Sequence, residues 1–117
     1  MADKKVIEKK LSELFDIVPE TEGLIVSDLE GKVIIGQTIT DMNHSAIAKT
    51  CVDFIKHSGN LGNHIGKGAF KAATIDLESG YAVIVKSDTI LLIALAGLDG
   101  KASLSLLKRN LISISKI

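Results

Sequence analysis

Four side chains that could bind a metal or act as nucleophiles fall on one predicted helix. They are His44, Cys51, His57 and His64. Zinc is usually held by four ligands in a tetrahedron, commonly from short local clusters, and the sequence has no second cluster. On a helical wheel, Cys51 points toward an apolar stripe, whereas His57 and His64 point away from it. We therefore expect a buried, unreactive thiol and solvated imidazoles.

A glycine-rich segment at residues 62–68, GNHIGKG, partly matches a phosphate-binding loop. It has one residue too few before the Gly-Lys pair, and it lacks the following Ser or Thr that would hold Mg²⁺. The segment also follows a predicted helix and precedes a strand, which is the reverse of the order in a P-loop. The segment is therefore predicted to end a helix rather than bind a nucleotide.

The carboxylates of the chain do not form a convincing acid–base pair. Asp28, Glu30, Asp76 and Glu78 fall at predicted turns, where turn chemistry explains them. No serine lies in a strand–turn–helix elbow. We predict that the protein is not an enzyme and that it has no catalytic residue, metal or cofactor.

The composition predicts one globular domain spanning residues 1–117. The formal net charge is zero, with 14 basic and 14 acidic residues, so no general attraction to nucleic acid is expected. With three phenylalanines, one tyrosine and no tryptophan, the chain has few side chains for base stacking. One cysteine allows no internal disulfide, and the first ten residues are too charged for a signal peptide. These features predict a cytoplasmic protein that does not insert into membranes.

An uncharged stretch at residues 89–97, TILLIALAG, organises the predicted fold. In a strand, Ile90, Leu92, Ala94 and Ala96 would lie on one face, and Leu91, Ile93 and Leu95 on the other. Both faces are apolar, so we predict a central strand covered by helices on both sides.

The rest of the chain supplies the covering and pairing elements. We predict helices at 3–15, at about 41–64 and at about 100–114, with N-caps Asp3, Asp41 and Asp99. We predict the other strands at 23–27, 32–36, 69–77 and 81–86, with a turn at Ser79-Gly80. The expected fold is α+β, in the order α-β-β-α-β-β-β-α. Its five-stranded antiparallel sheet carries the long helix on one face and the terminal helices on the other.

Two stripes run along the long helix. An apolar stripe is expected to be buried and comprises Ile47, Cys51, Phe54, Ile55, Ser58, Leu61 and Ile65. A stripe of small residues comprises Ser45, Ala48, Val52, Gly59 and Gly62. The small stripe has two open interpretations: the helix frays near Gly59, or a second helix packs closely there in a dimer. The strand at 69–77 has few edge charges and could also pair with another chain.

Four segments carry a resemblance to a known family. They are the hairpin start at 23–34, the helix end at 61–68, the Gly80-Tyr81 turn and the apolar strand at 87–96. With these segments the chain resembles the Roadblock/dynein light chain superfamily over nearly its full length. Its compact form is similar to archaeal or bacterial single-domain members.

The resemblance implies a homodimer, or a heterodimer with a Roadblock paralogue. In the family, the third strands pair across the two-fold axis and the long helices lie side by side. Carried over to this chain, the expected interface comprises Ser45, Ala48, Val52, Gly59, Gly62, Ala69, Phe70, Lys71, Ala73 and Ile75.

The resemblance also implies binding to a small Ras-like GTPase. Some family members activate or co-activate the GTPase by repositioning its own residues, and others scaffold it. The candidate GTPase-binding residues are Lys49, Asp53, Lys56, His57 and Asn60, on the outward side of the long helix. The alternative is a small-molecule-sensing or structural adaptor domain without a GTPase partner, and the sensor would need a pocket between sheet and helix.

Overall fold

The computed structural model describes residues 4–117 as one sheet between helical layers. The elements are α1 (Lys4–Ile17), β1 (Thr21–Asp28), β2 (Val33–Thr38), α2 (His44–His64), β3 (Ala72–Leu77), β4 (Gly80–Lys86), β5 (Ile90–Gly97), a 3₁₀ helix (Leu98–Ser103) and α3 (Leu104–Ser115). The predicted α+β fold and its order of helices and strands are confirmed.

The five strands form an antiparallel sheet in the order β2-β1-β5-β4-β3. β5 is central, with β1 on one side and β4 on the other. Ile93 on β5 lies opposite Ile25 on β1 and Ile84 on β4, so an apolar row crosses the middle of the sheet. β3 pairs with β4 along one side only and forms an edge of the sheet.

The two faces of β5 pack against different helices, as predicted. Ile90, Leu92, Ala94 and Ala96 belong to a core cluster that includes residues of α1 and α3. Leu91, Ile93 and Leu95 pack in a second cluster with residues of α2. Leu91 and Leu92 are fully buried on opposite faces. Full burial of one such side chain stabilises a fold by roughly 1.5–3 kcal/mol. The side chains of β5 therefore stabilise the packing of the helices on both faces of the sheet.

The terminal helices are positioned by matching apolar spacings. Ile7, Leu11 and Leu14 lie on one stripe of α1, and Leu107, Leu111 and Ile114 lie on one stripe of α3. All six side chains are buried in the same cluster. Steps of three and four residues place them on one helical face, which is why both helices pack on the same side of the sheet.

Several predicted boundaries are wrong, and so are two predicted caps: Asp41, and Asp99, since the N-cap residue of α3 is Ser103. The N-cap of α2 is Asn43, whose Oδ1 accepts a hydrogen bond from Ala46 N at 3.0 Å, and Asp41 lies before the helix. The helix starts this late because the His44 ring bonds Thr38 Oγ1 at 3.0 Å and lies against Gly36, which fixes the first turn over β2. The predicted cap Asp3 lies outside the described residues.

The ends of other elements also differ from the prediction, including β1 and β2, which were predicted at 23–27 and 32–36. α1 continues to Ile17, two residues past the predicted end, and Val18 N still donates to Leu14 O at 2.9 Å. β3 begins at Ala72, three residues after the predicted start, although Lys71 O still accepts a hydrogen bond from Lys86 N at 3.0 Å. Leu77 pairs with Gly80, so the tight turn is Glu78-Ser79 rather than Ser79-Gly80.

The last helix begins differently from the prediction. The segment Leu98–Ser103 is a 3₁₀ helix, and α3 begins only at Leu104. Gly100 lies in this segment, where a Cβ would come within 3.2 Å of the side chains of Ala96 and Glu20. This close packing against the end of the central strand accompanies the tighter 3₁₀ geometry.

Candidate interaction surface

Of the side chains that could perform chemistry, Cys51 and His44 have structural roles, and the other two histidines lie at the surface. Cys51 is buried against the sheet, and burial raises the pKa of its thiol from 9.0 to about 11. His44 is engaged with Thr38, whereas His57 and His64 are exposed. Among residues 4–117, no three His, Cys, Asp or Glu side chains come together where they could hold a metal ion.

Asp28 has a structural explanation in the β1–β2 turn. Its Oδ1 accepts hydrogen bonds from the backbone N of Lys32 and of Glu30, each at 2.9 Å. These hydrogen bonds favour the ionised carboxylate and lower the pKa of Asp28, and the bond from Lys32 N has the largest effect. Gly31 completes the turn at φ +92°. The turn chemistry predicted for this carboxylate is confirmed.

The open side of β3 is a free backbone edge next to an apolar surface. Leu77, at the end of this strand, is 55% exposed. Ile75 and Phe70 are half-buried against the α2 side of the sheet, and Phe70 packs edge-on against Phe54 with ring centroids 6.1 Å apart. Ala73 is half-buried, while Ala69 and Lys71 are exposed. A free strand edge beside apolar side chains is the kind of surface that pairs with another strand.

The C-terminal half of α2 has an uncovered apolar surface. Leu61 and Ile65 were expected to be buried, but their side chains are 58% and 57% exposed. The buried residues of α2 all fall between Ala48 and Ile55. The sheet therefore covers only the first part of the helix, and the apolar stripe continues past it into solvent. Neither residue was among the predicted interface residues.

The stripe of small residues on α2 is not a continuous free surface. Ala48 and Val52 are buried within the protomer, at 0% and 4% exposure. A Cβ at Gly62 would collide with the carbonyl oxygen of Gly68, because the chain folds back there and both Lys67 N and Gly68 N donate to Gly62 O. Ser45 is exposed, and a Cβ at Gly59 would meet open space. Of the five, only Ser45 and Gly59 leave room for a close neighbour.

The candidate GTPase-binding residues are all exposed on α2, but the structure brings only two of them to one groove. These residues are Lys49, Asp53, Lys56, His57 and Asn60. Lys56 and Asn60 line a groove of about 350 Å³ beside Phe70 and Lys86. The Lys49 side chain lies instead against Gly31 in the β1–β2 turn. Asp53 and His57 do not line the groove.

Three solved structures have the same architecture. The Roadblock/LC7 domain from Streptomyces avermitilis has a TM-score of 0.78 and 19% identity, over 90% of this chain and 88% of that one. MglB from Myxococcus xanthus has a TM-score of 0.80 and 13% identity, over 94% and 89%. An MglB solved in a tetrameric arrangement has a TM-score of 0.80 and 14% identity, over 99% and 90%.

No protein-family model matches the sequence, and no curated protein matches it either. The structural comparisons nonetheless establish that the chain has the Roadblock/LC7 fold, as the sequence resemblance implies. Bacterial single-domain proteins are among those with this fold. Within residues 4–117, no helix combines the length and apolar character needed to cross a bilayer.

Proposed function

We propose that this protein is a cytoplasmic, dimeric, non-catalytic interaction module that binds a small Ras-like GTPase and regulates or scaffolds it. The observation that carries the proposal is the Roadblock/LC7 fold with an open β3 edge beside an uncovered apolar end of α2. The tetrameric arrangement of one MglB supports self-association as a property that this fold allows. The partner is a second copy of this chain or a Roadblock paralogue.

The charges around β3 favour antiparallel pairing of two copies. Lys71 directly precedes the strand, Asp76 lies near its end, and Glu78 follows it. Antiparallel pairing about a two-fold axis near Thr74 would place Lys71 of each copy near the carboxylates of the other. Parallel pairing would instead place like charges side by side. Opposite charges across strands contribute roughly 0.2–1 kcal/mol each, and each contact would occur twice in a symmetric dimer.

The exposed end of α2 would supply apolar area to the same dimer. Leu61 and Ile65 are more than half exposed, and Phe70 and Ala73 are half-buried. Stable dimers usually bury at least 1,200 Å² in total, about 600 Å² per copy, which a strand edge alone does not supply. We therefore add Leu61 and Ile65 to the predicted interface and remove Ala48, Val52 and Gly62, which have contacts inside the protomer.

The exposed side of α2 is the proposed GTPase-binding surface. Lys49, Asp53, Lys56, His57 and Asn60 form a band of mixed charge there, none of them buried. Such a band sets the orientation and specificity of docking more than its affinity. The module would act by holding the switch segments of the GTPase in place, so that its own residues perform the hydrolysis.

The experiment has two parts, each with its own readout. Sedimentation of the full chain at micromolar concentration is expected to give twice the 12.4 kDa chain mass. Ras-like GTPases from the same genome are then titrated with the protein in GDP and GTP-analogue forms, and single-turnover hydrolysis is measured in parallel. A monomer contradicts the dimer. Failure of every GTPase to bind contradicts the partner, whatever the oligomeric state.

One observation favours a second candidate, a domain that senses a small molecule without a GTPase. The groove of about 350 Å³ lies between α2 and one end of the sheet, with Val52 and Ile55 among its lining residues. Pockets of this size hold small ligands. A thermal-shift screen against metabolites tests this candidate, since a ligand that binds only the folded state raises the unfolding temperature.

A further inference from the structure

A second groove lies on the other helical side of the sheet, between α3 and the edge formed by β3 and β4. Its volume is about 410 Å³. Ala72, Val85 and Ile112 form its apolar floor and belong to, or pack against, the α1–α3 core cluster. The remaining lining residues are polar. They are Ser115 and four lysines, Lys71, Lys86, Lys108 and Lys116.

The charge of this groove is unbalanced. No acidic residue lines it, and α3, which forms one wall, carries no Asp or Glu along its length. Within residues 4–117, the charged side chains that form an ion pair are Lys10 and Glu13 on α1. The ammonium groups of the four groove lysines all lie more than 4 Å from the carboxylates of this part of the chain. In a chain with equal numbers of acidic and basic residues, this groove concentrates positive charge.

Two of the lysines are direct neighbours across the strands. Ala72 pairs with Val85, and Lys86 N donates to Lys71 O at 3.0 Å, so Lys71 and Lys86 lie opposite each other. Like charges directly opposite in an antiparallel pair destabilise a sheet. An anion near this pair would reduce that repulsion. Lys86 also lines the groove on the α2 side of the sheet and therefore borders both grooves, whereas Lys108 and Lys116 do not line the α2-side groove.

We propose that this groove binds a small, multiply charged phosphate compound that is free in solution. Lysine ammonium groups are compact charges on flexible stems, so several can turn toward phosphate oxygens from different directions. The apolar floor at Ala72, Val85 and Ile112 suits an organic body attached to the phosphates. The volume lies in the range of small-ligand pockets.

Other anionic partners fit the groove less well. Lysine is depleted in protein–protein interfaces, where Arg, Tyr and Trp dominate. No aromatic residue lines the groove for base stacking. A membrane surface is flat, whereas these lysines surround a concavity.

This site goes beyond the proposed function and does not depend on a GTPase. The groove shares Lys71 with the proposed dimer interface, because antiparallel pairing of β3 would bring the carboxylates of a second copy to that residue. Lys108 lies on α3 and Lys116 directly follows its last residue, and neither belongs to the strand edge. The test therefore uses these two lysines.

The binding of inorganic tripolyphosphate to the full chain is measured by calorimetry at low ionic strength, where charge interactions are least screened. We expect saturable binding with one site per chain. The double variant Lys108→Gln with Lys116→Gln is expected to bind about tenfold more weakly, since it removes two charge-assisted contacts. The control, Lys9→Gln with Lys101→Gln, removes the same charge from exposed positions outside the groove and is expected to bind as the unmodified chain does.

Two results of the calorimetry overturn the proposal: no saturable binding, or equal weakening in both double variants, which would indicate only diffuse attraction. A third arm uses vesicles of phosphatidylcholine containing phosphatidylglycerol. Co-sedimentation with these vesicles in the absence of tripolyphosphate binding also overturns the proposal and assigns the lysines to a lipid surface. Sedimentation of both variants at the mass of the unmodified chain shows that the assembly is unchanged.

Discussion

Gly62, on the last turn of α2, lies directly beneath the carbonyl oxygen of Gly68, and no other residue type fits there without moving the backbone. The chain returns over the helix at this point, and Gly62 O accepts hydrogen bonds from Lys67 N at 2.8 Å and Gly68 N at 3.2 Å. Gly59, one turn earlier, has open space where a Cβ would be. The two helical glycines therefore have different reasons to be glycine.

We expect Gly62→Ala and Gly59→Ala to change the free energy of unfolding in opposite directions. Overpacking at residue 62 should lower it by about 1–3 kcal/mol. Alanine at the open position 59 should raise protomer stability by about 0.5–1 kcal/mol through its higher helix propensity. Urea unfolding of both variants at one protein concentration checks this. A stabilised Gly62→Ala protein would contradict the close contact with Gly68.

The exposed end of α2 predicts a variant that separates dimerisation from folding. Leu61→Ser with Ile65→Ser should shift the sedimenting mass from twice 12.4 kDa toward 12.4 kDa. Each aliphatic side chain buried in an interface contributes roughly 1.5–3 kcal/mol, and both are exposed in the protomer. Far-UV circular dichroism should stay unchanged. A dimer that persists at low micromolar concentration would exclude this helix end from the interface.

The charges flanking β3 predict a rescue experiment. Lys71→Glu and Glu78→Lys should each weaken the dimer, because each places like charges together under antiparallel pairing. The double variant should recover most of the affinity, since the pairs are then opposite in sign again. Dissociation constants from sedimentation equilibrium give the coupling energy of this cycle. Simple addition of the two losses, with no recovery, would mean that these residues do not meet across the two-fold axis.

The outward band on α2 predicts loss of GTPase binding without loss of the dimer. Asp53→Lys with Lys56→Glu reverses two exposed charges and should weaken binding at least about tenfold, mainly through slower association. Lys101→Glu, on the 3₁₀ helix far along the chain from α2, is the control and should bind normally. Unchanged affinity of the α2 variant for a GTPase that binds the unmodified chain would move the docking surface elsewhere.

The buried thiol predicts a pH dependence of stability. Burial raises the Cys51 pKa to about 11 in the folded state from 9.0 in the unfolded state. The unfolded chain therefore releases its proton first, and the stability linked to Cys51 is complete below pH 9 and is lost as the pH rises toward 11. Urea unfolding at pH 7 and pH 10 should show a smaller loss for Cys51→Ala than for the unmodified chain. Equal losses would show that Cys51 does not contribute.

Much of the fold could be predicted because β5 is apolar on both faces. Strand geometry alone divides the side chains of β5 between two faces, and because both faces are apolar, a helical layer is needed on each. One face carries Ile90, Leu92, Ala94 and Ala96, and the other carries Leu91, Ile93 and Leu95. The N-cap of α2 was harder to predict, because Asp41 and Asn43 are both good caps and only the packing of His44 on Gly36 and Thr38 decides between them.

The interaction surface was less predictable for a physical reason. Helical periodicity shows which side of α2 is apolar, but it does not show where the sheet beneath the helix ends. Leu61 and Ile65 therefore looked like core residues. In the same way, the small size of Gly62 suggested a close neighbour from a second chain. The neighbour is instead the backbone of Gly68 in the same chain.

The position of β5 in the chain also determines when the sheet can form during synthesis. β1 pairs with β2, its neighbour in the chain, but its other side pairs with β5, as in the pair Leu24–Ala94. During synthesis the first hairpin and α2 leave the ribosome well before this partner strand exists. Contacts between such distant segments form slowly. The nascent chain therefore carries a β1 with one unpaired side and an uncovered α2 until the last strand has emerged, and that interval is when it most needs protection from aggregation.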